Sequence, residues 1–149
     1  MKVIWSQIRL YDILAIRKSP GLKFQNKIDS TLLCQAYDKF GKSLPSYLNG
    51  DFAFALYESE KKYIFCARDP LGVISLYYTK TESGYKFSSN IDELLEQSGV
   101  HKKPNLKSMH TMLHSHSVDY NETMYEGIFR LPPGCLMAIE DGKEHIERY

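Results

Sequence analysis

Short segments in which apolar and polar residues alternate predict that β-strands make up much of the chain. Asp51–Tyr57 is apolar on both faces, which favours a strand that is covered on both sides. The polar run 58–62 predicts a turn into a second strand, Tyr63–Ala67, so that the two strands form a hairpin. The same alternation predicts five further strands, at Lys2–Leu10, Leu76–Thr79, Tyr85–Ser88, Leu136–Ile139 and Glu144–Arg148.

Apolar residues at helical spacing predict helices between these strands. Those in Leu33–Phe40 recur at the interval of one helix face, so we expect a helix from Asp29 or Ser30 to Phe40 that ends at Gly41. Because helices and hairpins occur in separate runs, the pattern predicts an α+β fold. The other predicted features are a short helical turn at 11–16, a break at 19–21, helices at 90–97 and 106–114, and a rigid turn at 131–134.

Length and composition narrow the class of protein. A chain of 149 residues with 43% hydrophobic residues suits one domain with a core of its own. Nineteen basic against 18 acidic residues, without a dense basic run, do not form a nucleic-acid footprint. With no apolar run long enough for a membrane span and no secretory signal pattern, we expect a cytoplasmic protein. Cys34, Cys66 and Cys135 are odd in number and widely spaced, which indicates buried thiols rather than disulfides or a zinc site.

The first candidate for chemistry is the segment Ala67–Gly72, directly after the strand at 63–67. In the structural interpretation, Arg68 and Asp69 bond to the backbone of a turn in which Gly72 supplies a permissive φ. In the functional interpretation, Arg68 holds a carboxylate. We favour the structural one, because no second acidic or nucleophilic group stands at a supporting spacing.

The histidines and cysteines are the other candidates. His110 and His114 lie four residues apart on a predicted helix, with His116 close behind, and this spacing lets two imidazoles reach one metal. Since nothing at a fixed spacing completes a zinc site, we expect a solvated helix end and no metal. The three cysteines have no neighbouring His or Lys to lower the thiol pKa, so we interpret them as inert packing. Phosphate-binding glycine motifs are absent, and no cofactor is expected.

Several blocks, taken in order, resemble one family. They are DSTLL at 29–33, LNGDFAFALY at 48–57, CARDPLGV at 66–73, LYY at 76–78, FSSNI at 87–91 with LL at 94–95, GIFRLPPG at 127–134 and ERY at 147–149. This series is similar to the N-terminal glutaminase domain of glutamine-hydrolysing asparagine synthetases and their relatives. The blocks extend over nearly the whole chain, and Asn49, Gly50, Asp51, Arg68, Asp69 and Gly72 form the structural part of the motif.

The resemblance implies a type 2 glutamine amidotransferase domain of the N-terminal-nucleophile class. Its fold has two stacked, mainly antiparallel sheets flanked by helices, in the order αββα. In active members an N-terminal Cys attacks the glutamine amide, its free α-amine acts as base, and ammonia passes to an ATP-using synthetase domain.

Several departures from this pattern bear on activity. Met1 is followed by Lys2 rather than Cys, and Trp5-Ser6-Gln7 stands where active synthetases carry Asn-Gly-Glu. Asp29 alone has a counterpart among the glutamine-binding groups, the acid that pairs with the substrate amine, while Thr31 replaces an acidic residue. The pyrophosphate loop of the synthetase domain does not occur. No residue of the chain is therefore assigned a catalytic role.

We therefore expect one domain over residues 1–149, shortened at its N-terminus, without a synthetase domain. The predicted function is that of a pseudoenzyme in asparagine biosynthesis or a related amide formation, a structural or partner-binding module for an amide-forming synthetase. A sheet without its first strands is expected to expose an edge, so the partner is either a second copy or a separately encoded synthetase; glutamine binding is left open. The alternative is one part of an active glutamine-hydrolysing asparagine synthetase whose Cys-bearing segment lies upstream or joins in trans.

Overall fold

The computed structural model describes residues 2–12, 30–97, 99–114 and 120–149. These residues fall into two compact units, one containing those up to Ile74 together with Pro133–Tyr149, and the other containing those within Ser75–Pro132. The first unit holds β1 (Lys2–Asp12), α1 (Ser30–Phe40), a 3-10 helix (Gly41–Tyr47), β2 (Asn49–Glu58), β3 (Tyr63–Arg68), β7 (Cys135–Glu140) and β8 (Lys143–Arg148). The second holds β4 (Tyr77–Thr81), β5 (Gly84–Ser88), α2 (Ile91–Leu95), α3 (Leu106–His114) and β6 (Ile128–Arg130).

The first unit is built on a five-stranded antiparallel sheet in the order β1-β2-β3-β7-β8. All six residues of the central strand β3 are buried, and so are the middle residues of β2. This burial confirms that the run of apolar residues on both faces of β2 marks a strand covered on both sides. At one edge of the sheet, β8 carries mostly charged, exposed side chains, which is a common way to keep an edge strand from pairing further.

The core of the first unit lies between one face of this sheet and α1. The buried face of α1 presents Leu33 and Ala36 to a group of aromatic side chains on β2 and β3. Among them, the rings of Phe52 and Phe54 lie 5.9 Å apart, and the ring of Tyr37 on α1 lies 4.8 Å from that of Phe65. The helical spacing in the sequence therefore supplies the apolar stripe that covers the sheet.

The second unit contains a three-stranded antiparallel sheet in the order β5-β4-β6. Leu94 and Leu95 of α2 pack with Ile128 of β6 to form its buried cluster. Asn90 caps α2, because its side chain accepts a hydrogen bond from the Asp92 amide at 2.9 Å. In α3, by contrast, Ser108 is the buried residue.

The α+β class with antiparallel sheets is confirmed, and the predicted strands appear with ends shifted by one or two residues. Three predictions of local structure are wrong or incomplete. Tyr11 and Asp12 extend β1, so the helical turn expected from residue 11 does not begin there. Gly41 ends α1 at a φ of +55°, but a 3-10 helix follows that was not predicted. The strand β6 was missed because three residues are too few to show a period.

The expected break at 19–21 and residue Asp29 lie outside the described residues. Within the described ranges, no helix is both long enough and apolar enough to cross a membrane.

Candidate functional site

The two most specific sequence blocks, 49–51 and 68–72, meet at the same end of the five-stranded sheet. Strands β2 and β3 are antiparallel and Ala53 lies opposite Arg68, so the start of β2 is beside the end of β3. The connection is direct, because the Asp69 amide donates a hydrogen bond to the Phe52 carbonyl at 2.8 Å. The two sequence blocks therefore lie side by side, and we call the loop that begins at the end of β3 the β3 turn (Arg68–Ile74).

The guanidinium of Arg68 closes the β3 turn from inside. Its Nε donates to the Ile74 carbonyl at 2.7 Å, and its Nη2 donates to the Gly72 carbonyl, also at 2.7 Å. The residue is only 4% exposed, so a buried charge is balanced by carbonyl dipoles of its own loop. This is the bonding that the structural interpretation of Arg68 predicted.

Asp69 binds the same loop through its carboxylate and its backbone. Oδ1 accepts from the Val73 amide at 3.1 Å, and Oδ2 accepts from the Ile74 amide at 3.3 Å. Its carbonyl accepts from the amides of Gly72 and Gly134 at 3.1 and 2.9 Å. Asp69 is 1% exposed, so its carboxylate bonds to the turn rather than facing solvent, and its carbonyl links the turn to the approach to β7.

Position 72 requires glycine because of both its backbone conformation and the atoms packed around it. Its φ is +66°, a left-handed value that side-chain-bearing residues rarely adopt. A Cβ at this position would lie 2.7 Å from Cγ of Pro133, which packs against the turn. The permissive φ predicted for Gly72 is present, together with a close approach that the sequence did not indicate.

The 49–51 block shows a similar close approach on the other side of β2. Gly50 lies opposite Leu10 of β1, and a Cβ on Gly50 would overlap the Arg9 carbonyl. Asp51 is 6% exposed and Asn49 is exposed at the start of the strand. These three residues of β2 pair with β1, so the NGD motif has a structural role in joining the two strands.

Tyr149 is a residue of this region that the sequence analysis included in a motif without giving it a role. Its hydroxyl donates to the Arg68 carbonyl at 2.9 Å, and its amide donates to the Gly134 carbonyl at 3.2 Å. Burial, followed by the negative charge of Asp69, raises the pKa of the Tyr149 phenol. No periodicity marks a tyrosine directly after an edge strand, so only the fold identifies this contact.

All three thiols are placed where burial disfavours the thiolate. Cys66 is fully buried in β3, and this burial raises its pKa well above the ordinary value. Burial is also the largest influence on Cys34, in α1, and on Cys135, at the start of β7, and it raises both thiol pKa values. A nucleophilic cysteine needs the opposite shift.

The predicted histidine pair does form on α3. The rings of His110 and His114 stack with centroids 4.3 Å apart and an angle of 18° between their planes. His116 lies outside the described residues, as does Asp29, the proposed glutamine-binding acid. Considering the described ranges alone, no three His, Cys, Asp or Glu side chains come together in a way that would hold a metal ion.

Sequence and structure comparisons agree on one kind of domain. Residues 4–149 match the family model of a glutamine amidotransferase domain. The chain is 25% identical over 142 residues, or 94% of its length, to a Methanocaldococcus jannaschii protein that carries the provisional name asparagine synthetase (glutamine-hydrolysing) 2. It is 35% identical over 94 residues, or 61% of its length, to asparagine synthetase (glutamine-hydrolysing) 3 of Bacillus subtilis.

A solved structure shows the same fold. The glutamine phosphoribosylpyrophosphate amidotransferase of B. subtilis, complexed with ADP and GMP, superposes with a TM-score of 0.56 at 18% identity and covers 91% of this chain. The chain spans 28% and 15% of the two named sequence relatives and 25% of this solved chain. The similarity therefore concerns one domain of larger proteins.

Proposed function

Because the chain belongs to the glutamine amidotransferase domain family, we propose that it acts as an asparagine-synthetase-like amidotransferase domain that does not itself hydrolyse glutamine. In this role it is a structural or partner-binding module for an amide-forming synthetase. The assignment to an amidotransferase domain rests on the family match over residues 4–149. The proposed lack of glutamine hydrolysis rests on the raised pKa values of the three thiols.

Glutamine hydrolysis through a covalent intermediate needs a thiolate, a base beside it, and donors for the oxyanion. Cys34, Cys66 and Cys135 each have a pKa that burial raises, so each favours the protonated, weakly nucleophilic form. The β3 turn offers no substitute, because Arg68 and Asp69 already bond to their own loop. The observation that carries the proposal is that burial raises the pKa of all three thiols, while the β3 turn bonds internally.

The partner-binding role is supported by the edge of the five-stranded sheet at β1. Within the part of the chain that the structure describes, β1 pairs with β2 on one side only. Its side chains are less charged than those of β8 at the opposite edge, and Trp5 is half-buried. An edge of this kind favours pairing with a strand of another chain, for which a separately encoded synthetase is the candidate.

The test is glutamate release from glutamine by the purified chain, with glutamine binding measured by calorimetry on the same preparation. We expect no release above that of matched Cys34→Ser and Cys135→Ser variants, whose half-buried positions tolerate this exchange. Release by the parent chain that disappears in either variant, or in a Cys66→Ser variant that still folds, would overturn the proposal.

A second arrangement is favoured by the names of the relatives, which describe glutamine-hydrolysing enzymes several times longer than this chain. In it, a segment with an N-terminal Cys lies upstream or joins in trans and completes an active domain. Adding such a segment from the M. jannaschii relative to the purified chain distinguishes the two. Glutamate release that requires both pieces would support this arrangement and reject inactivity.

A further inference from the structure

The β3 turn carries its charged side chains inside and its apolar side chains outside. Arg68 and Asp69 are 4% and 1% exposed, whereas Leu71 is 84% exposed and Val73 59%. Surface turns ordinarily show the opposite arrangement, with polar side chains facing water. Since no other residue of the β3 turn is charged, its outer surface is apolar.

Two prolines join these side chains into one apolar group. Pro70 is exposed and directly precedes Leu71. Pro133 is half-buried and lies so close to Gly72 that a Cβ on the glycine would overlap the proline ring. We call this group the turn patch (Pro70, Leu71, Val73 and Pro133). Single exposed apolar residues are common on protein surfaces, whereas a group of them on one loop is typical of a binding site.

The backbone that carries the turn patch is held in one conformation. Val73 and Ile74 donate their amides to the carboxylate of Asp69. The guanidinium of Arg68 donates to the carbonyls of Gly72 and Ile74. Because these bonds fix the loop before any partner binds, little conformational entropy remains to be lost on binding. The buried charges that close the turn therefore also prepare its outer surface.

A positive charge borders the turn patch. Arg148, on β8, is exposed and lies beside Gly134, which directly follows Pro133. An apolar centre with a charged rim is the common arrangement at protein–protein interfaces. The partner surface that fits is apolar at its centre and acidic at this border. A second copy paired through the same patch would bring another arginine instead of an acid.

The turn patch lies beside Tyr149, the last residue of the sequence. The Tyr149 hydroxyl donates to the Arg68 carbonyl, and its amide donates to the Gly134 carbonyl. Chain that follows this position in a longer protein therefore leaves the domain next to the β3 turn. The matched segment is only 28% and 15% of the two named sequence relatives. A further part of such a protein has the turn patch within reach.

We propose that the turn patch is the surface through which this domain docks on an amide-forming synthetase. Leu71 and Val73 enter an apolar pocket of that partner, and Arg148 pairs with an acid at the border of the pocket. The inference rests on the proposed partner-binding role and adds a second contact to the edge at β1. The segment Ala67–Gly72 then has two functions, since its charged residues hold the loop and its apolar ones meet the partner.

The test is binding of the full chain to the M. jannaschii relative expressed without its matched segment, measured by calorimetry. Cooperative unfolding in circular dichroism shows that this probe is folded; otherwise the same part of the B. subtilis relative replaces it. Leu71→Asp and Val73→Asp should each weaken binding at least tenfold, because each places a carboxylate in the apolar contact. Arg148→Glu should weaken binding more at low than at high ionic strength, since salt screens this charge.

Leu113→Asp is the matched control, because Leu113 is 81% exposed on α3, in the other unit, and this variant should bind as the parent does. All these exposed substitutions should leave the circular dichroism of the chain unchanged. Unchanged binding by Leu71→Asp and Val73→Asp would overturn the inference and leave the proposed function standing.

Two other results would also overturn it. A parent dimer in sedimentation velocity that Leu71→Asp dissociates would show that the turn patch joins two copies. Absence of binding by the parent chain would reject both the inference and the partner-binding role, while the glutamate-release assay still decides on hydrolysis.

Discussion

The guanidinium of Arg68 is buried and bonds to its own loop, whereas a ligand-binding arginine would leave its donors free for the ligand. Its Nε and Nη2 bond to two carbonyls of the loop that it closes, and the side chain is almost fully covered. Charge-assisted hydrogen bonds of this kind contribute more than neutral ones, and their loss leaves carbonyls buried without partners. The structural interpretation of Arg68 therefore makes a prediction about stability.

Arg68→Met keeps the apolar length of the side chain and removes its donors. We expect the free energy of unfolding to fall by about 2–4 kcal/mol, measured by urea denaturation followed by circular dichroism. Arg130→Met is the matched control, because the Nε of Arg130 also donates to a carbonyl, that of Tyr120 at 3.2 Å, but in a solvent-exposed hydrogen bond. This control should change stability by less than about 0.5 kcal/mol. Equal effects of the two substitutions would argue against the structural role of Arg68.

At the scale of secondary-structure elements, the end of the chain locks the β3 turn in place. β8 pairs only with β7 in the described residues, and its exposed, charged side chains add little to the core. Tyr149, directly after it, packs on the core of the first unit and donates its hydroxyl proton to the carbonyl of Arg68. An edge strand with a polar sequence is thus anchored by one aromatic residue at its end.

Tyr149→Phe should lower the free energy of unfolding by about 1 kcal/mol at neutral pH, because one partly buried hydrogen bond is lost. Its pH dependence has a definite sign. Since folding raises the pKa of Tyr149, the folded state holds its proton more tightly, and this stability is present below the unfolded value of about 10 and is lost as the pH rises above it.

The variant should therefore lose less stability than the parent between neutral pH and pH above about 10, measured by urea denaturation across that range. Part of the alkaline loss should remain in the variant, because burial also raises the pKa of Tyr37 and Tyr63. Tyr120→Phe, at an exposed position, serves as control. An alkaline loss of the same size in parent and Tyr149→Phe would contradict the assignment.

At the scale of the whole molecule, the first unit is organised around β3. In the described part of the sheet, two strands lie on each side of β3, and every residue of β3 is buried. Access to the Cys66 thiol consequently requires the sheet to open, and burial also keeps that thiol protonated. Cys66 is therefore a reporter of global unfolding.

We expect alkylation of Cys66 by iodoacetamide, read by peptide mass spectrometry, to be at least about a thousandfold slower than that of a free thiol in the native chain. The rate should rise through the urea transition in parallel with circular dichroism. Cys34, half-buried on α1, is the internal control and should react first. Labelling of Cys66 in native buffer as fast as that of Cys34 would show that the sheet opens locally.

The sequence alone determined the local structure wherever apolar residues recurred at a regular spacing over a long enough segment. The helical stripe of Leu33–Phe40 and the two-sided apolar strand β2 appear as expected, because burial of those side chains is what selects helix or strand. The same holds for the ARDPLG turn, since charged residues beside an apolar strand must bond to their own backbone when they are buried. The family followed from motifs of this kind.

Only the tertiary structure decided which distant residues meet. It placed Tyr149 on Arg68 and Pro133 on Gly72, and it showed that α3 faces its apolar residues outward while Ser108 faces in. The sequence could not show these, because periodicity records which side chains share a face but not what covers that face. Contacts between residues far apart in the chain depend on how the strands are ordered in the sheet, and that order is a property of the folded molecule.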